Sequence, residues 1–379
     1  MHVPDLDTLR ARRTRKWTAY PDDVLPAWIA ESDFSTCAAV KEAIVRRVEA
    51  ESFGYTPASS GLPAALADFS QRRYGWRPEP ESIVEVADVV RGLTLAVQFL
   101  TRPDSPVVVP VPAYPPFLDI PNAAGRERID VGAQGGLDLD QIEEAFARGA
   151  GSILLCSPYN PLGYTLSEEF LRSLVAVAQR HGARVLVDEI HAPMVLDGRH
   201  TAAAGLSDEA AHVCVTVTAT SKAWNIAGLK CAQMILSNPD DLRAWRGLNP
   251  VVKDGVGTLG VFAAEACYRH GEEFLDRQVA LLRDHRDWLV RELPRRVPGL
   301  RVSRPQATYL LWLDFCDTAL GRITDDPAGH LLRHGRVALN DGRHFGPGGQ
   351  GHARLNFATS RENLEEIVHR IVLGTQQHG

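Results

Sequence analysis

The sequence contains no uninterrupted apolar run of the roughly 20 residues that a helix needs to span a lipid bilayer. Its most apolar stretches, such as SPVVVPVPAYPPF, are short and interrupted by proline. No apolar segment follows the basic residues near the N-terminus, so a secretory signal is not predicted. The formal net charge is only -6 at pH 7, which gives no reason to expect nucleic acid or an anionic membrane as a partner. These absences predict a cytoplasmic protein.

Paired cysteine motifs are also absent. The six cysteines are Cys37, Cys156, Cys214, Cys231, Cys267 and Cys316. They are scattered, and no two of them form a CxxC pair. Several lie in apolar, strand-like runs, where a buried free thiol is the usual state of cysteine in a cytosolic protein. A disulfide framework and a metal site are therefore not predicted.

The 379 residues do contain a regular alternation of two patterns. From about residue 83, short β-branched runs such as SILLCSP and ARVLVDEIH alternate with amphipathic helical stretches. Near-continuous apolar strands separated by helices are typical of a parallel sheet covered on both faces. We therefore predict an α/β fold, with a large domain whose mostly parallel sheet lies between helices and a smaller α+β domain. The predicted segments are an N-terminal arm packing on the small domain (1–45), the large domain (46–280) and the small domain (281–379).

Polar side chains follow four of these predicted strands. Each stands where an apolar run ends, and they are Tyr114, Asn160, Asp188 and Lys222. Taken alone, such residues usually form a turn, a helix cap or a solvated surface. In a parallel sheet, however, the strand ends meet at one edge, where sites form. A lysine amine, a carboxylate, an amide donor and an aromatic ring are together what pyridoxal 5′-phosphate (PLP) requires.

Longer motifs carry a family resemblance. SPYNPLG, VDEIHAP, TATSKAWNIAGLK and HARLNFATSR occur in the order seen in fold-type I PLP-dependent enzymes. Together with LPAWIAESDF, FGYTPASSG and VVVPVPAYPPF, they most resemble the cystathionine β-lyase and C–S lyase branch of the class I/II aminotransferase family. The similarity extends over nearly the whole chain. It implies a PLP enzyme that acts on a small amino-acid substrate.

The resemblance implies a role for each residue around the cofactor ring. Lys222 would carry the Schiff base and then act as the catalytic base on Cα of the substrate. Asp188 would pair with the pyridinium nitrogen and keep it protonated by charge stabilisation. Asn160 would donate to the ring hydroxyl, and Tyr114 would stack on the ring. His191 stands where ordinary aminotransferases carry a tyrosine, which favours a lyase over a transaminase.

The resemblance also implies contacts to the cofactor phosphate. These would come from Ser221, Lys230 and the backbone of Val90 and Arg91. The two backbone positions lie at the start of a predicted helix, where free N–H groups attract an anion. Tyr55 would reach the phosphate of a neighbouring subunit. This last contact implies a homodimer with shared active sites.

Substrate binding is implied for Arg354, Asn160 and Asp33. Arg354 would hold the substrate α-carboxylate through a bidentate pair. Asp33 lies in AESDF, near the substrate entrance, where this branch usually reads ADMDF. Asp88 stands where the branch usually has glycine, within the phosphate loop.

Several functions stay open from the sequence. The first is β-elimination of cystathionine or another L-cysteine S-conjugate to a thiol, pyruvate and ammonia. The alternatives are decarboxylation-coupled oxidative deamination of such a conjugate in a lincosamide-type antibiotic pathway, transamination, and a regulatory protein that keeps the fold and the cofactor. Intact Lys222, Asp188 and Arg354 argue against lost catalysis. Lys222 would serve each of the three reactions, so the lysine does not choose among them.

Overall fold

The computed structural model describes residues 2–376. In chain order, the strands of this part are β1 (Leu25–Pro26), β2 (Ile83–Val86), β3 (Val107–Val111), β4 (Arg128–Gly132), β5 (Ser152–Cys156), β6 (Arg184–Asp188), β7 (Cys214–Thr218), β8 (Ala232–Ile235), β9 (Arg301–Val302), β10 (Leu310–Asp314), β11 (Val337–Ala338), β12 (Asn340–Asp341) and β13 (His352–Asn356). The main sheet has the order β2-β8-β7-β6-β5-β3-β4. Strand β8 is antiparallel to its neighbours β2 and β7, and the other neighbouring pairs are parallel. The prediction of a mostly parallel sheet is confirmed.

Helices connect most of these strands. The α-helices of residues 2–376 are α1 (Leu6–Ala11), α2 (Arg15–Thr18), α3 (Ala38–Glu49), α4 (Leu62–Tyr74), α5 (Val89–Phe99), α6 (Pro115–Ala123), α7 (Leu139–Ala147), α8 (Glu168–Arg180), α9 (Asp208–Val213), α10 (Pro239–Gly247), α11 (Pro250–Lys253), α12 (Thr258–His270), α13 (Glu272–Arg296), α14 (Pro327–His334) and α15 (Arg361–Gln376). Short 3-10 helices lie at Pro80–Ser82, Ala192–Met194, Ala203–Gly205, Ala227–Leu229, Leu320–Arg322 and Gly342–Phe345. Within the described range, none of the helices combines the length and the apolar character needed to cross a membrane.

The main sheet is buried on both faces. On β3, Val107 and Val109 belong to one hydrophobic cluster, while Val108 belongs to another. Successive side chains of a strand point to opposite faces, so these clusters lie on the two sides of the sheet. Helices α5 and α6 contribute to the first cluster, and α7, α8 and α9 contribute to the second. Because both faces are covered, the ends of the strands are where a ligand can reach the sheet.

A smaller antiparallel sheet has the order β12-β13-β10-β9. Leu311 and Leu355 of this sheet share a hydrophobic cluster with Leu289 of α13 and Ile367 of α15. The segment RVALND forms two short strands in different sheets. Strand β11 pairs in parallel with β1 of the N-terminal segment, and β12 pairs with β13. The division of the chain at residues 45 and 280 stays a prediction.

Candidate active site

Four parallel strands of the main sheet end beside one cavity of about 310 Å³. Tyr114, Asn160, Asp188 and Lys222 follow β3, β5, β6 and β7, and all four side chains line it. The other predicted site residues that line it are Val90, His191, Ser221 and Lys230. The fold therefore brings together residues that are separated by more than 100 positions in the sequence.

Asp188 is the last residue of β6 and is buried. Its Oδ1 accepts a hydrogen bond from the backbone amide of Ile190 at 2.9 Å. Burial raises the pKa of Asp188 to about 7, although the Ile190 amide and the Lys222 cation both oppose this increase. A carboxylate in such a setting is stabilised by a cationic group that enters the cavity.

Lys222 lies just beyond β7 and is half-buried. Its Nζ donates a hydrogen bond to the backbone carbonyl of Ala30 at 3.0 Å. Burial lowers the pKa of Lys222 to about 8, the Arg354 cation adds to this effect, and Asp188 and Glu31 oppose it. The neutral amine, which a nucleophile or a base requires, is therefore far more populated near physiological pH than in an ordinary lysine.

Arg354 lies on β13 and is only 2% exposed. Its Nη1 donates to Asn160 Oδ1 at 2.9 Å, and its Nη2 donates to the Trp28 carbonyl at 3.3 Å. Its Nε is buried and has no hydrogen-bond partner, and no carboxylate of residues 2–376 forms an ion pair with it. Burial lowers the pKa of Arg354 to about 10, so the side chain still carries its charge at neutral pH. A buried, unpaired guanidinium beside Asn160 suits an incoming carboxylate.

His191 and Tyr114 line the cavity as neutral groups. His191 is buried, and its Nδ1 has no hydrogen-bond partner. Burial, together with the Lys222 and Arg354 cations, lowers the pKa of His191 to about 3. Burial raises the pKa of the half-buried Tyr114, which stands at the N-cap position of α6. Neither side chain brings a charge to the cavity near neutral pH.

The N-terminus of α5 lines the cavity, and Asp88 is the N-cap of this helix. Asp88 Oδ1 accepts from the Arg91 amide at 2.8 Å, and Oδ2 pairs with Lys230 Nζ at 2.8 Å. The Asp88 side chain thus already engages the Arg91 amide, whose predicted contact with the phosphate stays a prediction. The amide of Val90, in the first turn, has no acceptor within the helix. An anion at this helix end would meet both the Lys230 cation and the Asp88 carboxylate.

The predicted role of Asp33 in substrate binding stays a prediction. Asp33 is 1% exposed and does not line the cavity. Its Oδ2 pairs with Lys16 Nζ at 2.8 Å, and its Oδ1 accepts from Trp17 Nε1 at 3.0 Å. Both carboxylate oxygens are thus engaged by the N-terminal helix α2. Asp33 anchors this segment and leaves its neighbours Ala30 and Glu31 to approach Lys222.

Tyr55 lies outside the cavity, and its side chain is fully exposed. Its predicted contact with a neighbouring subunit stays a prediction. Sequence reasoning also missed two contributors, the Ala30 carbonyl and the buried Tyr309, whose hydroxyl donates to that carbonyl at 3.1 Å. The motif LPAWIAESDF contains Ala30 and was a usable signal, whereas Tyr309 lies outside the motifs that carry the family resemblance.

A cavity at the edge of a parallel sheet that is lined by these residues is compatible with PLP-dependent enzymes. The chain matches the family of class I and II aminotransferases over residues 29–371, and it belongs to that family. This membership and the mostly parallel sheet confirm the family and the fold class predicted from the sequence.

Individual relatives resemble the chain over almost its full length. Cystathionine β-lyase from Corynebacterium glutamicum is 52% identical over 371 residues, which cover 98% of this chain and 99% of that protein. Cystathionine β-lyase PatB from Bacillus subtilis is 34% identical and is covered to 92%, as is this chain. A crystal structure from Corynebacterium diphtheriae, assigned as a PLP-dependent β-cystathionase, has a TM-score of 0.98 at 53% identity, with 100% of both chains covered.

Proposed function

We propose that this chain is a PLP-dependent C–S β-lyase that cleaves cystathionine or another L-cysteine S-conjugate to a thiol, pyruvate and ammonia. The observation that carries the proposal is a single cavity lined by Lys222, Asp188 and Asn160, the last of which accepts a hydrogen bond from the unpaired Arg354. Relatives at 52% and 34% identity that are cystathionine β-lyases support this reaction class.

The residues of the cavity fit PLP. Asp188 is a buried carboxylate with a raised pKa, and it would hold the pyridinium nitrogen. Asn160 would donate to the ring hydroxyl, Tyr114 would cover the ring, and Lys222 would bind the aldehyde carbon. The phosphate would lie between Lys230, Ser221 and the first turn of α5. When bound, PLP accepts the electrons that are left at Cα of an amino acid.

The protein's own groups would orient the substrate and move its proton. Arg354 would hold the α-carboxylate through Nε and Nη2, which gives the buried guanidinium the anionic partner that it lacks. Lys222 would remove the Cα proton with its Nζ, and the carbon–sulfur bond to Cβ would then break. The neutral His191 ring would leave the charge balance of the cavity unchanged during this transfer.

We also propose an oligomeric state and a cellular location for the enzyme. We infer a homodimer in which Tyr55 of each subunit reaches the other subunit's phosphate site. The complete exposure of Tyr55, next to Phe53 at 64% exposure, supports this inference. Five buried free cysteines support a location in the cytoplasm. Sedimentation of the purified protein tests whether it is a dimer. Mixed dimers of Tyr55→Phe with Lys222→Ala test whether the two subunits share their active sites.

Product analysis tests the reaction. The purified holoenzyme is incubated with L-cystathionine and, separately, with an S-alkyl cysteine. We expect pyruvate, ammonia and free thiol in equal amounts, without added keto acid and without oxygen uptake. A strict requirement for a keto acid would identify a transaminase. Oxygen uptake with release of carbon dioxide would identify the decarboxylating alternative, and either result would contradict β-elimination.

A further inference from the structure

Three potential metal ligands converge at the smaller sheet, away from the cofactor cavity. Asp314 and His352 are direct cross-strand partners on β10 and β13, and Cys316 follows two residues after Asp314. One donor atom from each of the three lies within 4.8 Å of the others. His352 Nε2 is 3.7 Å from Asp314 Oδ1. A carboxylate oxygen, a thiol sulfur and an imidazole nitrogen therefore lie close together at this sheet.

His352 is held in the orientation that a ligand needs. Its Nδ1 lies 2.7 Å from the Gln350 carbonyl, so Nδ1 donates to this oxygen and Nε2 is the ring nitrogen that can bind a metal. The ring stacks on Trp312, with the centroids 5.2 Å apart and the planes 16° from parallel. Metal-binding histidines commonly donate their other ring N–H to a carbonyl in this way.

The charges around the three residues are compatible with a cation. Arg301 contacts Asp314 Oδ2 at 2.8 Å and Asp317 Oδ2 at 3.0 Å, so two carboxylates share one guanidinium. Asp314 Oδ1 accepts a hydrogen bond from the Cys316 amide at 2.9 Å and lies 3.7 Å from His352 Nε2. With the Cys316 thiolate, the group has an excess of two negative charges, which matches a divalent ion.

We propose that Asp314 Oδ1, Cys316 Sγ and His352 Nε2 form a zinc-binding site. Sulfur, nitrogen and oxygen donors together suit Zn²⁺, whereas Mg²⁺ and Ca²⁺ select oxygen ligands. Ligand atoms of tetrahedral zinc lie roughly 3.3–3.8 Å apart, so the 3.7 Å separation already fits. On binding, the Cys316 thiol loses its proton to solvent and its sulfur donates to the metal.

The site leaves a fourth position for water or a small exogenous ligand. Asp314, His352 and Trp312 also line a second cavity, of about 670 Å³. Three protein ligands next to open space are typical of zinc sites that keep an exchangeable position. Sequence spacing did not predict this site, because an antiparallel ladder joins His352 to Asp314, which lies 38 residues earlier.

The reactivity of Cys316 tests the proposal on the holoenzyme. Cys316 is the exposed cysteine of this chain, and the other five are buried. Its alkylation by N-ethylmaleimide is followed by mass spectrometry of its peptide at increasing free Zn²⁺. We expect zinc to slow the alkylation of Cys316, with one Zn²⁺ retained per chain after dialysis. No slowing by zinc would overturn the proposal.

His352→Asn separates a three-ligand site from zinc bound by the thiol alone. Asparagine can still donate to the Gln350 carbonyl, but it removes Nε2. We expect the zinc concentration that gives half-protection of Cys316 to rise about tenfold or more. A smaller rise would overturn the proposal. His212→Gln, at an exposed histidine on α9, should leave the protection unchanged. The thermal unfolding temperature of each zinc-free variant is measured, and Asp314→Asn replaces His352→Asn if the latter does not fold.

Discussion

Lys16 and Lys222 are both withdrawn from solvent, but they differ in their partners. Lys16, in the N-terminal segment, is 1% exposed and forms an ion pair with Asp33 at 2.8 Å. Lys222, in the cofactor cavity, donates to the neutral carbonyl of Ala30 instead. A buried cation with a carboxylate partner stays charged and holds segments together. A buried lysine without one is easily deprotonated, and its amine becomes available for chemistry.

Two buried arginines show the same contrast. Arg286 on α13 is fully buried and pairs with Asp197 at 2.6 Å and Asp287 at 2.8 Å. Arg354 is almost as buried, yet its described partners are an amide oxygen and a carbonyl. The framework of the molecule pairs its buried cations, whereas the cavity keeps them unpaired. This difference separates residues that stabilise the fold from residues that await a ligand.

Replacing the unpaired lysine should have the largest effect on activity. We expect Lys222→Ala to lower kcat by about 10³-fold or more, because the amine that binds the cofactor and moves the proton is lost. The visible absorbance of the lysine-bound cofactor should disappear as well. Lys41→Ala, at an exposed lysine on α3, is the matched control and should retain both properties. An unchanged spectrum in Lys222→Ala would contradict the assignment.

Breaking the paired lysine should instead lower stability. Lys16→Met leaves the Asp33 carboxylate buried without its cation, and this should reduce the free energy of unfolding by about 3–5 kcal/mol. The double variant Lys16→Met/Asp33→Leu removes both charges and should recover part of that loss. Denaturant unfolding measures both values. If the double variant is no more stable than Lys16→Met, the ion pair is not the cause.

Asp188 should make the stability of the cofactor-free protein depend on pH. Its pKa is about 7 in the folded chain, against 3.8 as the ordinary value, so the folded state binds the additional proton between these limits. Stability contributed by this group therefore falls as the pH rises from about 4 to 7. We expect Asp188→Asn to gain on the order of 2–4 kcal/mol relative to wild type between pH 5 and pH 8. Unfolding at the two pH values measures this difference, and the exposed Asp119→Asn should show none.

The unpaired arginine should affect substrate more than stability. Arg354→Lys keeps a positive charge but loses the planar pair of donors, so kcat/KM should fall about 10- to 100-fold. Arg286→Lys is the matched control at a paired arginine. It should lower the unfolding temperature while leaving kcat/KM within about twofold at a temperature where it is folded. Equal effects of the two variants on kcat/KM would remove the distinction between paired and unpaired sites.

The sequence predicted the cavity residues that follow parallel strands. Tyr114, Asn160, Asp188 and Lys222 could be identified because each stands in a short motif at a strand end, and a parallel sheet brings such ends to one edge. The contacts of Asp33 could not be predicted from its motif. Its side chain turns towards Lys16 and Trp17, and that orientation depends on tertiary packing.

The smaller sheet was less predictable because antiparallel pairing joins distant segments without a local motif. RVALND contains an apolar run that is typical of one strand. Its two halves nevertheless pair with partners more than 300 residues apart in sequence, since β11 joins β1 and β12 joins β13. The convergence of Asp314 with His352 has the same origin, because the β10–β13 register alone brings them together.

Lys230 departs from the contrast between paired and unpaired cations. It lines the cavity, yet it forms an exposed ion pair with Asp88. The cofactor phosphate would compete with Asp88 for Lys230 and for the first turn of α5. Asp88→Asn keeps a cap for the helix but removes the charge, so PLP should bind about 3- to 10-fold more tightly, a modest change because solvent screens the pair. Lys230→Gln should weaken binding. Titration of the cofactor-free protein measures both affinities. Weaker binding by Asp88→Asn would mean that the carboxylate positions Lys230 for the phosphate and does not compete with it.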